Sequence, residues 1–90
     1  MRVITKNNAT KIISVDCNIF ISYDTIIAVW DGTNRKYYIN ECMFASSRTI
    51  SRHFKYFFGV GFKDFLTKYT NVEIKHQDFI NYLNILIYNK

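Results

Sequence analysis

The stretch Ser46-Ser47-Arg48-Thr49-Ile50-Ser51-Arg52-His53-Phe54-Lys55-Tyr56-Phe57-Phe58-Gly59 constrains the fold more than any other part of the chain. Wound as a helix at about 100° per residue, it puts Ile50, Phe54, Phe57 and Phe58 on one side. Arg48, Arg52 and Lys55 then fall on the other side, at spacings of four and three. Ser46 or Ser47 can cap the start by accepting from an exposed amide of the first turn. Gly59 and Gly61 suit its end. One face must anchor in a core while the other shows a line of positive charge.

The residues ahead of this helix supply the surface it needs. Thr25-Ile26-Ile27-Ala28-Val29-Trp30 is nearly all apolar and rich in β-branched residues, which marks a strand. Asp31-Gly32-Thr33-Asn34 is a loop with Gly available for positive φ, and Arg35-Lys36-Tyr37-Tyr38-Ile39-Asn40 returns as the partner strand. Weaker strand patterns cover residues 1–5, 11–15 and 18–22, with turns expected at Asn7-Asn8, at 16–18 and at Tyr23-Asp24. After the helix, Phe62, Phe65, Leu66 and Tyr69 recur at helical spacing, Thr70-Asn71 breaks the pattern, and Val72-Glu73-Ile74-Lys75 alternates as a short strand. Phe79, Ile80, Leu83, Leu86 and Ile87 form the apolar stripe of a final helix over residues 77–88. Hairpins first and helices later are the α+β pattern. The expected fold is one domain over residues 1–90, with a small antiparallel sheet of three to five strands and two or three helices covering one face.

Ninety residues bury a thin core. Eight Phe, seven Tyr and one Trp are much bulk for it to hide. Either some rings meet a partner, as aromatics do at interface cores, or tyrosines border the core with wet hydroxyls. Association of two copies is one expected use of such rings. The net charge of +5 is unevenly spread. Residues 1–45 carry five basic and four acidic groups, whereas residues 46–90 carry seven and three. A basic half that includes the helix favours a polyanion or an acidic protein surface, although +5 also serves plain solubility. Cys17 and Cys42 make no zinc spacing, there is no secretory signal, and no run approaches the roughly 20 apolar residues of a membrane span. A cytoplasmic protein without membrane attachment or cofactor is the expectation. The absence of Pro and the abundance of Asn, Ile, Lys, Tyr and Phe match AT-rich codons, as in a low-GC bacterium, a phage or another mobile element.

The succession Tyr23-Asp24-Thr25-Ile26-Ile27-Ala28, then Tyr38-Ile39-Asn40, then Ser47-Arg48-Thr49-Ile50-Ser51-Arg52-His53 resembles a group of small phage and prophage proteins of uncharacterised function. The later Val72-Glu73-Ile74-Lys75 with Asp78-Phe79 is similar too, so the likeness covers residues 20–83. It implies a mobile-element origin. Small phage proteins often act by binding host machinery, including defence nucleases.

Catalytic patterns are weak. A nucleophile–base pair at His53 needs a Ser or Cys and an orienting carboxylate. Ser46, Ser47, Ser51 and Cys42 are near in sequence, but no Asp or Glu lies within ten residues of His53. His76 with Glu73 and Asp78 is a loose set that capping explains better than a metal does. Asp16, Asp24, Asp31 and Glu41 sit at expected turns or strand ends, where acids usually bond locally. The remaining candidate is the ridge of Arg48, Arg52 and Lys55, with Lys63 and Lys68 extending it, His53 beside it, and Tyr37, Tyr38 and Tyr56 available for stacking. A solvated helix face accounts for the same ridge.

The first functional expectation is a non-enzymatic mobile-element protein that binds and inhibits a host protein complex, such as a CRISPR effector, in the manner of an anti-CRISPR. The alternative is an accessory or regulatory protein that binds DNA or RNA through the same helix. The expected contact residues are Arg48, Arg52, His53, Lys55, Tyr56 and Tyr37, with no metal.

Overall fold

In the computed structural model, residues 1–45 and 47–88 are described, with side-chain surroundings through residue 82. A cap by Ser46 and the inward packing of Leu83, Leu86 and Ile87 therefore lie outside the described residues. Five strands follow one another: β1 (Arg2–Lys6), β2 (Ala9–Ile13), β3 (Cys17–Ser22), β4 (Thr25–Asp31) and β5 (Lys36–Asn40). A 3₁₀ turn (Glu41–Ala45), helix α1 (Arg48–Phe58) and helix α2 (Phe62–Lys68) lead to β6 (Val72–Lys75), and helix α3 (Gln77–Tyr88) follows. The sheet order is β1-β2-β3-β4-β5-β6. The class is α+β, as expected, but the sheet has six strands rather than three to five. It is also mixed: β6 lies parallel to β5. The crossover through α1 and α2 brings the chain back in the same direction, and a four-residue alternating run carries no sign of that direction.

The two-residue period sorts the sheet into two cores. Phe20, Ala28 and Ile39 stand side by side in the register on the face covered by Met43, Phe54 and Phe65. Ile19, Val29 and Tyr38 stand side by side on the opposite face, where they pack with Ile12, Ile26 and Ile80 of α3. The helices thus cover both faces, not one. That is why 26–29 reads as an unbroken apolar run, since β4 is enclosed from both sides. The β3–β4 register slips between Phe20 and Ile21, leaving Ile27 as an extra residue. Both Ile27 and Ala28 enter the α1 side, which strict alternation would forbid.

Most aromatic bulk is absorbed in that core. Phe54 lies 4.5 Å from Phe58, 5.4 Å from Phe62 and 5.2 Å from Phe65, centroid to centroid. Tyr37 packs with Trp30, Phe58, Phe65 and Tyr69. Burial pushes the Tyr37 phenol above its ordinary pKa.

Turn chemistry follows the sequence with two exceptions. Asn7 (φ 52°) and Asn8 (φ 67°) both take the left-handed conformation that a two-residue hairpin turn requires. Tyr23 (φ 57°) turns between β3 and β4. The break before β3 falls at residues 14–16, two earlier than expected. Gly32 is not at positive φ; Arg35 (φ 53°) takes that role in its loop. Gly32 is needed for a close approach instead, since a Cβ there would sit 2.7 Å from the Asp16 carbonyl oxygen. Asp31 Oδ1 accepts from the Thr33 and Asn34 amides, the local role expected of a turn acid.

Asn40 ties the layers together. It is fully buried. Its Nδ2 donates to the Ile26 carbonyl at 2.8 Å and to Gln77 Oε1, and its Oδ1 accepts from the Cys42 amide at 2.9 Å. Asn40→Ala leaves the Ile26 carbonyl and the Cys42 amide without this partner. We expect a loss of about 2–3 kcal/mol, seen as a lower urea midpoint at unchanged slope.

Candidate functional site

Helix α1 forms as its sequence requires. Ser47 caps it, its hydroxyl accepting from the Ile50 amide at 3.2 Å. Gly59 (φ 77°) ends it, its amide donating to the Lys55 carbonyl at 2.8 Å. Phe54 faces inward, and Arg48, Arg52 and Lys55 are exposed. Among the described residues the lysine ion pairs run from Lys36 and Lys75 to Glu73, and the His76 ring stands near Glu41 and Asp78; no carboxylate pairs with any of the three α1 cations. Among the described residues their charge is not neutralised.

The register brings a second cationic wall beside this ridge. Lys6 pairs with Ala9, and Ala9 with Ser22, so these residues share the face that carries α1. Alternation puts Arg2 and Ile4 of β1 on the same face. The result is a cleft of about 470 Å³ between the β1–β2 hairpin and α1, lined by Lys6, Asn7, Ala9, Arg52, His53 and Tyr56. The Lys6 ammonium stands 5.9 Å from the centre of the Tyr56 ring, which is itself 53% exposed. A half of the chain with little net charge thus contributes a cation to the basic site, which charge counting along the sequence does not reveal.

His53 is the largest departure from expectation. Its place beside the exposed ridge predicts an accessible ring; the residue is instead only 4% exposed. Its Nδ1 lies 2.6 Å from Ser22 Oγ, on a strand 31 residues away, and the Tyr23 ring lies 5.7 Å from it. None of the serines near it in sequence is its partner in this bond. Ser22 is 2% exposed, so its hydroxyl is enclosed. The bond therefore orients the ring at the cleft wall. The sequence signal was there in faint form: Ser22 continues the inward alternation of Phe20, and His53 borders the apolar face of α1.

Tyr37 and Tyr38 take no part in the cleft. Tyr37 belongs to the aromatic core on the α1 side, and Tyr38 is buried on the α3 side. Lys63 and Lys68 are exposed on α2 and do not line the cleft. His76 caps α3, its Nδ1 accepting from the Asp78 amide at 3.1 Å, and Glu73 is taken up by Lys36 at 2.9 Å and Lys75 at 3.3 Å. Those two lysines, Lys36 foremost, hold the Glu73 carboxyl below the usual carboxylate range. Among the described residues no set of His, Cys, Asp or Glu is placed to hold a metal ion. No described helix is long and apolar enough to cross a membrane. Cys17 and Cys42 form no disulfide, and burial pushes the Cys42 thiol up.

No family model, curated protein or solved structure matches this chain.

Proposed function

We propose that this chain is a non-enzymatic binding protein whose ligand is nucleic acid, held through its phosphates by Arg48, Arg52 and Lys55, with Lys6 joining from the hairpin. The observation that carries this reading is the set of α1 cations that pair with no carboxylate of the described residues, set on a core-packed helix beside a further cation. Spacings of four and three line the cations up along about two turns, which suits a phosphate backbone. The adjacent aromatic ring, Tyr56, is what binders of unpaired strands add to such a ridge. The test is a salt titration of oligonucleotide binding. Three or four phosphate contacts give a slope of log affinity against log salt of roughly −2 to −3 for a single strand. Affinity that does not respond to salt overturns the reading.

A second reading keeps the same ridge and changes the ligand. Here the chain is a phage or mobile-element inhibitor in the host cytoplasm, gripping an acidic face of a nucleic-acid-targeting defence complex such as a CRISPR effector. The observation in its favour is the exposure of Tyr23 (59%) and Phe44 (65%), since aromatics anchor protein interfaces. Capture of a host complex that survives nuclease treatment favours it over the first.

A further inference from the structure

We propose that the cleft between the hairpin and α1 is a subsite for one unpaired nucleotide, with the phosphate between Lys6 and Arg52, the base on Tyr56 and His53 Nε2 as the hydrogen-bonding group of its wall. This rests on the nucleic-acid reading above and narrows it to single strands.

Shape is the first ground. A convex ridge can follow a duplex or a single strand equally well. A recess of about 470 Å³ cannot be filled by a paired, stacked base. It falls within the roughly 300–1,000 Å³ typical of small-ligand sites.

His53 is the second and independent ground. Its side chain is almost wholly buried, its Nδ1 is held by Ser22, and it lines the recess. Among the described residues no protein group bonds to its other ring nitrogen, Nε2. A buried polar atom without a protein partner costs about 1–3 kcal/mol unless something else satisfies it. Buried polar groups nearly always have partners, in the protein, in water or in a ligand, and the recess that His53 lines leaves room for one there. In the tautomer where the Ser22 hydroxyl donates to Nδ1, Nε2 carries the proton and donates; in the other, Nδ1–H donates to Ser22 Oγ and Nε2 accepts. A phosphate oxygen or base carbonyl matches the first and a base N–H the second, and a nucleotide offers both.

The arrangement of cation and ring is the third. Arg52 and Tyr56 are four residues apart, so they stand on the same strip of α1, one turn apart. Lys6 reaches the Tyr56 ring from across the cleft. A nucleotide offers the complement of this set, with an anion for the two cations and a flat π face for the ring. The cations and the ring meet groups that DNA and RNA strands have in common, a phosphate and a base face.

The test is fluorescence anisotropy at low salt with a short oligothymidylate, an oligouridylate and a duplex of the same length. The wild type is expected to favour the unpaired strands. Tyr56→Ala should weaken their binding between about fivefold and a hundredfold and so erase the preference over duplex. The nitrogen resonance of His53 Nε2 in the wild-type protein should shift on adding oligothymidylate, a readout that needs no variant at a buried position. Equal affinity for duplex and single strands, or a Tyr56→Ala loss shared equally by both, overturns the subsite while the ridge reading stands. Absence of salt-dependent binding to all three overturns both. Displacement of oligothymidylate by oligoglutamate at matching concentration overturns the nucleotide assignment in favour of an acidic protein segment. A response to both unpaired probes is expected; a response to only one of them overturns recognition by the shared phosphate and base face alone.

Discussion

Replacing Arg48, Arg52 and Lys55 together by Glu is expected to lower nucleic-acid affinity by upwards of about a hundredfold at low salt. Each cation near a phosphate contributes about 1 kcal/mol in surroundings close to bulk water, and reversal turns that attraction into repulsion of similar size. Screening removes part of the total and leaves a large loss. The fold should tolerate the change, because all three side chains are exposed and none is ion-paired among the described residues. Helix-dipole terms nearly cancel: Glu at 48 suits the positive N-terminal end of α1, while Glu at 55 is less suited than Lys to the last turn. The 48/52 pair stays like-charged in both proteins. Three reversals of two units each take the net charge from +5 to −1. A control with Arg35, Lys63 and Lys68 reversed reaches the same net charge and should keep most of the binding. If both triple variants lose affinity equally, overall charge rather than the ridge is responsible. Circular dichroism and the thermal midpoint, unchanged in both, make the comparison fair.

Phe54→Ala is expected to have the largest effect on stability. The ring is fully enclosed and touches rings from α1 and α2 while packing in the core that holds Phe20, Ala28 and Ile39. Truncating such a side chain costs about 3–5 kcal/mol, made up of lost transfer energy and the cavity left behind. A domain of this size has a total stability of roughly 5–13 kcal/mol at 0.05–0.15 kcal/mol per residue. The variant should therefore lie near the edge of folding, with a much lower urea midpoint. It should also lose ligand binding, because an isolated helix of this length does not hold in water without its packing. Tyr56→Ala, two residues along and on the exposed side, should change the unfolding free energy by no more than about 0.5 kcal/mol. A Phe54→Ala midpoint close to that of the wild type would remove the basis for treating α1 as clamped by its inward face.

Much of the local architecture is legible along the chain. The two-faced helix, its Ser47 cap and Gly59 stop, the Asn7-Asn8 turn, the hairpin around residues 31–34 and the strand over 72–75 all arise from periods, caps and turn preferences that act within a few residues. The parallel setting of β6 and the placing of α3 opposite α1 do not, because a strand's apolar pattern says which sides are buried and not which element covers each side. For the same reason the alternation identifies Phe20 and Ser22 as sharing a side without naming their neighbours.

The chain alone determines that residues 48–58 form a helix with phenyl rings on one side and cations on the other, since helix geometry couples those spacings to opposite faces. Only the tertiary structure decides that Lys6 stands across from Arg52 and that Ser22 holds His53. Those meetings depend on strand register and on the crossover after β5, and both are set by the packing of the two cores, which no local stretch encodes.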